Sequence, residues 1–246
     1  MIKVEHVSKK YRRLYALDDV SAQFKMGQAI SLIGPNGSGK TTLIKSILGM
    51  VRPDHGEIYF DNVSIRNENI YRSRIGYMPQ IGRYPDNMKV GQVINMIKNI
   101  RKQLHTDNEL YDQFDIESIS NKSMRSLSGG MRQKVSATLA FLFNPDVLIL
   151  DEPTAGLDPV ASEILKSKIL EEKRKGKLIL ITSHVLSDLE DLTTDLIYLQ
   201  DGRVHYSDTL SNIKMQTGEI RLTKAIAALM KNDFRMGAFQ GTALKN

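Results

Sequence analysis

Short apolar runs of strand length alternate along the chain with stretches in which apolar residues recur every three or four positions, and this alternation predicts an α/β fold. Ala29-Ile30-Ser31-Leu32-Ile33 reads as a strand, and Gly34-Pro35-Asn36-Gly37-Ser38-Gly39 behind it is too rich in turn residues to continue it. A helix follows through Leu43, Ile44, Ile47 and Leu48, with Gly49 as its stop. From about residue 85 to 145 the pattern becomes helical and predicts an inserted subdomain: Val90, Val93, Ile94, Ile97, Ile100 and Leu104 fall at steps of three and four. Val135, Leu139, Leu142 and Phe143 mark a second helix there, which must stop before Asn144-Pro145. The runs Val147 to Leu150 and Lys177 to Thr182 suit buried parallel strands. Leu222, Ile226, Leu229 and Met230 share one face of a short amphipathic helix within residues 220–231, expected to pack on its own domain. No internal repeat is visible, and beyond Phe234 the pattern ends.

Composition narrows the class. A chain of 246 residues with 41% hydrophobic and 25% charged residues can bury a sizeable core, which excludes a disordered or fibrous protein. Its length suits one core with an inserted subdomain: a domain over residues 1–210, then an amphipathic helix and basic tail over 211–246. No apolar run approaches the roughly 18 residues a membrane span needs. Met1 to His6 lacks the features of a signal peptide, so the cytosol is the expected compartment. With no cysteine, disulfide and thiolate chemistry are excluded. Much of the formal charge of +6 lies in the tail, where six Lys/Arg after residue 211 face two acids; a solvated basic tail is the expectation. His6, His55, His105 and His205 lack metal-ligand spacing.

Three segments carry chemistry. Gly34, Pro35, Asn36, Gly37, Ser38, Gly39, Lys40 and Thr41 match the phosphate-loop pattern G-x-x-x-x-G-K-[ST], with Thr42 directly behind. Its glycines let consecutive N–H groups converge on an anion at a helix N-terminus, Lys40 can reach the β- and γ-phosphates, and the Thr41 hydroxyl can hold Mg²⁺. Val147 to Leu150 ends in Asp151-Glu152; neighbouring strand residues point to opposite sides, so Asp151 can serve Mg²⁺ while Glu152 polarises the attacking water. Leu127-Ser128-Gly129-Gly130-Met131 precedes the helix of Val135 and Leu139. Ser128 can cap that helix, and Gly129 and Gly130 expose its N–H groups, a second anion-binding start that would by itself read as a capped helix.

These segments, together with Gln80, Asp158 and His184, resemble the ATPases of ABC transporters in order and spacing over most of residues 2–204. The resemblance implies a P-loop NTPase (RecA-like) core, an antiparallel β subdomain and an inserted α-helical subdomain, with ATP and Mg²⁺ as cofactors. It implies a head-to-tail dimer, homo- or heterodimeric, in which Ser128 and Gly130 of each copy meet the γ-phosphate held by the other. Met131 departs from the glutamine common at its place. By the same resemblance Gln80 senses Mg²⁺ and the attacking water, His184 is the switch residue at the γ-phosphate, and Asp158 links the two sites. Tyr11 matches the adenine-stacking aromatic, with Tyr15 close enough to be a rival.

An integral membrane permease is the implied partner, with this chain peripheral on the cytoplasmic face of the cell membrane and the region Ile81 to Val90 receiving the permease's coupling element. No nucleic acid is expected. A non-transport ABC ATPase acting on ribosomes or DNA is the alternative, but it typically needs tandem cassettes or a coiled-coil insertion. Leu127 to Lys134, Asn144-Pro145-Asp146 and Ala155 to Pro159 resemble export-type cassettes, and the short tail agrees. Residues 75–88 and 217–230 carry a weaker resemblance to the ATPase of the copper-processing system for nitrous oxide reductase.

Overall fold

The computed structural model describes residues 1–66, 68–102 and 105–229. A hairpin of β1 (Ile2–Tyr11) and β2 (Leu14–Phe24) precedes β3 (Ala29–Ile33), which leads through the glycine loop into α1 (Lys40–Ile47). Strands β4 (His55–Phe60), β5 (Val63–Ser64) and β6 (Ile75–Met78) follow, and then helices α2 (Val90–Arg101), α3 (Glu109–Gln113) and α4 (Gly129–Phe141). The last part runs β7 (Val147–Asp151), α5 (Pro159–Arg174), β8 (Leu178–Thr182), α6 (Leu186–Leu192), β9 (Asp195–Gln200), β10 (Arg203–Thr209) and α7 (Leu210–Thr217), with a further helix over residues 222–229.

One sheet has the order β10-β9-β3-β8-β7-β6, parallel except for β10 at its edge; the other, β2-β1-β4-β5, is antiparallel. The α/β core, the antiparallel unit and the helical insertion thus follow the expected fold class. β6 and β7 pair directly although residues 79–146 lie between them, so the helical stretch leaves the sheet and returns to it.

Strand alternation divides the interior in two. Leu148, Leu150, Ile179 and Ile181 face the helices α2, α4 and α5, whereas Val147, Ile149, Leu178 and Leu180 face α1 and the antiparallel sheet. Both faces being covered is why these strands are uninterrupted apolar runs. The sheet is therefore a wall with one core on each side, and the loops at the carboxyl ends of β3, β7 and β8 meet at its rim. Leu210, Ile213, Leu222 and Ile226 join the helical-side core, so residues 210–229 pack on the body that precedes them.

The helical stretch is fastened by charge as well. Lys168 of α5, almost fully buried, reaches Asp107 at 2.7 Å and Glu109 at 2.5 Å, at the start of α3, and Glu172 at 3.3 Å. Burial opposes its charge, but the hydrogen bonds it donates to Asp107 and Glu109, with the charges of Asp107 and Glu172, hold the Lys168 ammonium above the ordinary lysine value.

One expectation needs adjustment. Ile100, assigned to the apolar face of α2, is exposed, because the buried stripe consists of Val90, Val93 and Ile94 with Ile97 at its margin. The antiparallel sheet was not legible as alternation, because β1 and β2 carry register shifts and left-handed residues at His6 and Asp19 that reset the two-residue period. Leu104, Met230, Lys231 and the tail lie outside the described residues.

Candidate active site

The loop between β3 and α1 is shaped by two glycines. A Cβ on Gly34 would lie 2.0 Å from the Leu199 carbonyl oxygen and one on Gly39 2.3 Å from that of Ala16, and both residues have positive φ. Only glycine lets the loop press between β9 and β2 in this conformation. Ser38, 2% exposed, has a side-chain oxygen that finds no hydrogen-bond partner among the described residues. Lys40 donates to the carbonyls of Gly34 at 2.7 Å and Pro35 at 3.0 Å, so its ammonium lies inside the curve of the loop. Burial pushes its pKa below the ordinary lysine value, against the charges of Glu152 and Asp151.

These groups open onto a cleft of about 300 Å³ lined by Asn36, Gly37, Ser38, Gly39, Lys40, Thr41, Thr42, Gln80, Asp151, Glu152 and His184, with Leu14 and Ala16 from β2. The parallel pairing of β7 with β8, which sets Asp151 beside Thr182, organises the acids. The Thr182 hydroxyl donates to Asp151 Oδ1 at 2.6 Å and accepts the Glu152 N–H at 3.1 Å. Glu152 has φ 54°, a left-handed conformation costing a residue with a Cβ roughly 1–2 kcal/mol. It is held there: its N–H also meets the Thr182 carbonyl at 3.1 Å, and its own carbonyl accepts from Gln133 Nε2 at 3.2 Å. Its carboxylate accepts the His184 N–H at 3.2 Å and lies 3.3 Å from His184 Nε2. The left-handed turn after Asp151 thus separates two adjacent acids, one tied to the sheet and one to His184.

The cleft fits a nucleoside triphosphate with a divalent cation. Converging loop amides, a lysine and an unpartnered buried hydroxyl suit phosphate oxygens. A threonine hydroxyl, an aspartate and a glutamine amide are hard oxygen donors. Among the described residues no group of three or more His, Cys, Asp or Glu gathers.

Seven expected site residues are absent from the lining of this cleft: Gly34 and Pro35, which give their carbonyls to Lys40, and the five that follow. Ser128, Gly129 and Gly130 open α4, where the Ser128 hydroxyl accepts the Met131 N–H at 3.3 Å. Asp158 caps α5 by accepting the Ala161 N–H at 2.8 Å and pairs with Lys134 at 2.9 Å. Tyr11 ends β1, half exposed; it pairs across the hairpin with Leu14, a cleft residue, so the two side chains share a face. Tyr15 pairs with Lys10 on the opposite face, where the Lys10 ammonium sits 4.7 Å from its ring centre. Gln133, Thr182, Leu14 and Ala16 were missed from the sequence. A polar residue closing the apolar run Leu178-Ile179-Leu180-Ile181 was the available signal for Thr182; Gln133 carried none.

The sequence pattern described as ABC transporter matches residues 17–155. The chain is 34% identical over 232 residues to the uncharacterized ABC transporter ATP-binding protein YhaQ of Bacillus subtilis, a match covering 91% of this chain and 76% of that one. It is 31% identical over 212 residues to the Nod factor export ATP-binding protein I of Ralstonia nicotianae, covering 82% of this chain and only 65% of that relative's length. Among solved structures, an ATP-binding subunit of an ABC transporter has a TM-score of 0.85 at 30% identity, covering 94% of this chain and 99% of that one. A dimeric cassette in a post-hydrolysis state bound to ADP and Pi gives 0.75 at 25% identity, covering 85% and 99%.

Proposed function

This chain belongs to the ABC transporter ATP-binding family and is an ATPase, and from that premise we propose that it energises transport by an integral membrane permease, in the export direction, through ATP-driven pairing with a second ATPase subunit. The observation that carries the reading is the single cleft that gathers Gly37 to Thr42, Gln80, Asp151, Glu152 and His184. Residues 1–210 would form the ATPase domain with its insertion at about 85–145, and 211–246 an appended helix and tail. The similarity to a Nod factor export protein supports the direction. Among the described residues no helix is long and apolar enough to cross a membrane, so a spanning path needs another chain or another segment.

Lys40 and the loop amides bind the β- and γ-phosphates, and Tyr11, on the cleft-facing side of the hairpin, stacks on adenine. Thr41 and Asp151, with Gln80, would hold Mg²⁺, which when bound neutralises charge building on the phosphate oxygens. Glu152 accepts the proton of the attacking water. His184 keeps that carboxylate aimed into the cleft through its backbone N–H and ring nitrogen. Ser128 and Gly130 are absent from the lining of that cleft, which supports their meeting the nucleotide of the second subunit, with Asp158 between the two sites.

The test is capture of the full-length Glu152→Gln protein from cells after crosslinking, followed by co-expression with whatever it retains. An integral membrane protein that stimulates ATP hydrolysis by the unmodified chain is expected. Retention on ribosomes or DNA, with no membrane protein recovered, would overturn the transport reading.

A further inference from the structure

The segment from Glu152 to Asp158 is gripped along its length by α4. Gln133 donates through Nε2 to the carbonyls of Glu152 at 3.2 Å and Pro153 at 3.4 Å. One turn earlier, Gly130 passes so close that a Cβ there would lie 2.7 Å from the Gly156 carbonyl oxygen. One residue later, Lys134 meets Asp158 at 2.9 Å.

The contacts differ in weight. Lys134 and Asp158 are solvent-accessible, and an exposed ion pair adds little. Gln133 is 5% exposed, and both its Nε2 partners are carbonyls, so the side chain must present its NH₂ to them. Removing that donor leaves two acceptors in a dry environment with nothing to replace it. One of them belongs to Glu152, whose left-handed backbone decides where its carboxylate points. Thr182 holds the N–H side of this residue and Gln133 the carbonyl side.

We propose that Gln133 is a positioning residue for Glu152: its amide clamps the strained peptide after Glu152, so that the carboxylate sits where it can take a proton from the water attacking ATP. This role presupposes Glu152 as the base, as proposed above. Without the clamp the Glu152–Pro153 peptide can rotate toward an ordinary conformation, swinging the carboxylate while Lys40 and Thr41 keep their places on α1. Gln133 lies on the helix opened by Ser128, so a displacement of that helix moves the clamp and is felt at Glu152.

The test compares full-length Gln133→Met, which keeps the length and loses the donor, with Gln133→Glu, which keeps the shape and offers only acceptors at neutral pH. Single-turnover Mg-ATP hydrolysis per folded molecule is read beside the equilibrium affinity for Mg-ATP. Hydrolysis should fall by about 100-fold in both, the scale of an ångström-level misplacement at a reacting centre, with affinity held within about twofold. A residue that merely packs the core would lower the melting temperature and the folded fraction and leave the rate per folded molecule unchanged. If Gln133→Glu fails to fold, Gln133→Met decides alone. Hydrolysis by Gln133→Met within about threefold of the parent overturns the proposal, as does a parallel loss of affinity and rate. Glu152→Gln is run alongside: if it hydrolyses normally, the failure is that of Glu152 as base, whereas a slow Glu152→Gln with a normal Gln133→Met rejects the clamp alone.

Discussion

The chain starts two helices with glycine-rich, anion-ready turns, and they are built for different circumstances. At α1 the residue before the helix is Gly39 in a left-handed conformation with no side-chain cap, and the start is walled by Gln80, Asp151, Glu152 and His184. At α4 the preceding residue is Ser128 in an extended conformation, its own hydroxyl accepts the Met131 N–H, and Ser128 and Gly129 are exposed. The first start leaves its amides for a ligand and supplies a lysine and acids around it. The second caps one of its own N–H groups and does not line the cleft that holds the lysine and the acids. An anion at α1 is enclosed by one chain, while an anion at α4 needs a second surface to complete its surroundings, the physical reason for reading α4 as half of a shared site.

The most severe break in this comparison is Glu152→Gln, which removes the basic oxygen from the α1 cleft while keeping its shape. The turnover rate should fall by about 10²–10⁴-fold with Mg-ATP affinity nearly unchanged, measured by single-turnover hydrolysis and equilibrium titration. Near-normal hydrolysis would take the base away from this cleft. Next comes Lys40→Ala, which removes charge-assisted hydrogen bonds worth about 1.5–3 kcal/mol, so affinity should drop by roughly 10- to 150-fold in a calorimetric titration. An unchanged affinity would mean that the α1 start is no more a phosphate site than α4 alone.

A smaller effect is expected at the hairpin. Tyr11→Ala should weaken Mg-ATP binding by about 1–3 kcal/mol and Tyr15→Ala by nearly nothing, because only Tyr11 shares the face of Leu14. The reverse result would place the base on the far side of the hairpin. Smallest of all should be the effect of Ser128→Arg on a single chain's affinity for Mg-ATP, within about twofold, since α4 does not line the cleft. In the Glu152→Gln background the same change should abolish the ATP-dependent dimer seen by light scattering. A dimer that tolerates it would show that the α4 start is only a capped helix.

Local pattern alone was enough for the strands β3, β7 and β8, because a strand buried on both faces must be apolar throughout, and enough for the turn residues that end it. It also exposed the phosphate-loop pattern and Asp151-Glu152, whose residues are adjacent in the chain, while Ser128-Gly129-Gly130 by itself read as a capped helix. Tertiary structure decided what depends on neighbours distant in sequence. The pairing of β7 with β8 brings Thr182 to Asp151, and the packing of α4 beneath the loop brings Gln133 to the Glu152 carbonyl. Which of Tyr11 and Tyr15 shares the face of Leu14 rested on hairpin register, because side chains one residue apart in pairing face opposite ways and bulges upstream had erased the count. Cross-strand pairing and helix-to-loop contact leave no periodic trace in the chain, so the residues that hold the acids in place came into view only once the sheet and α4 were assembled around them.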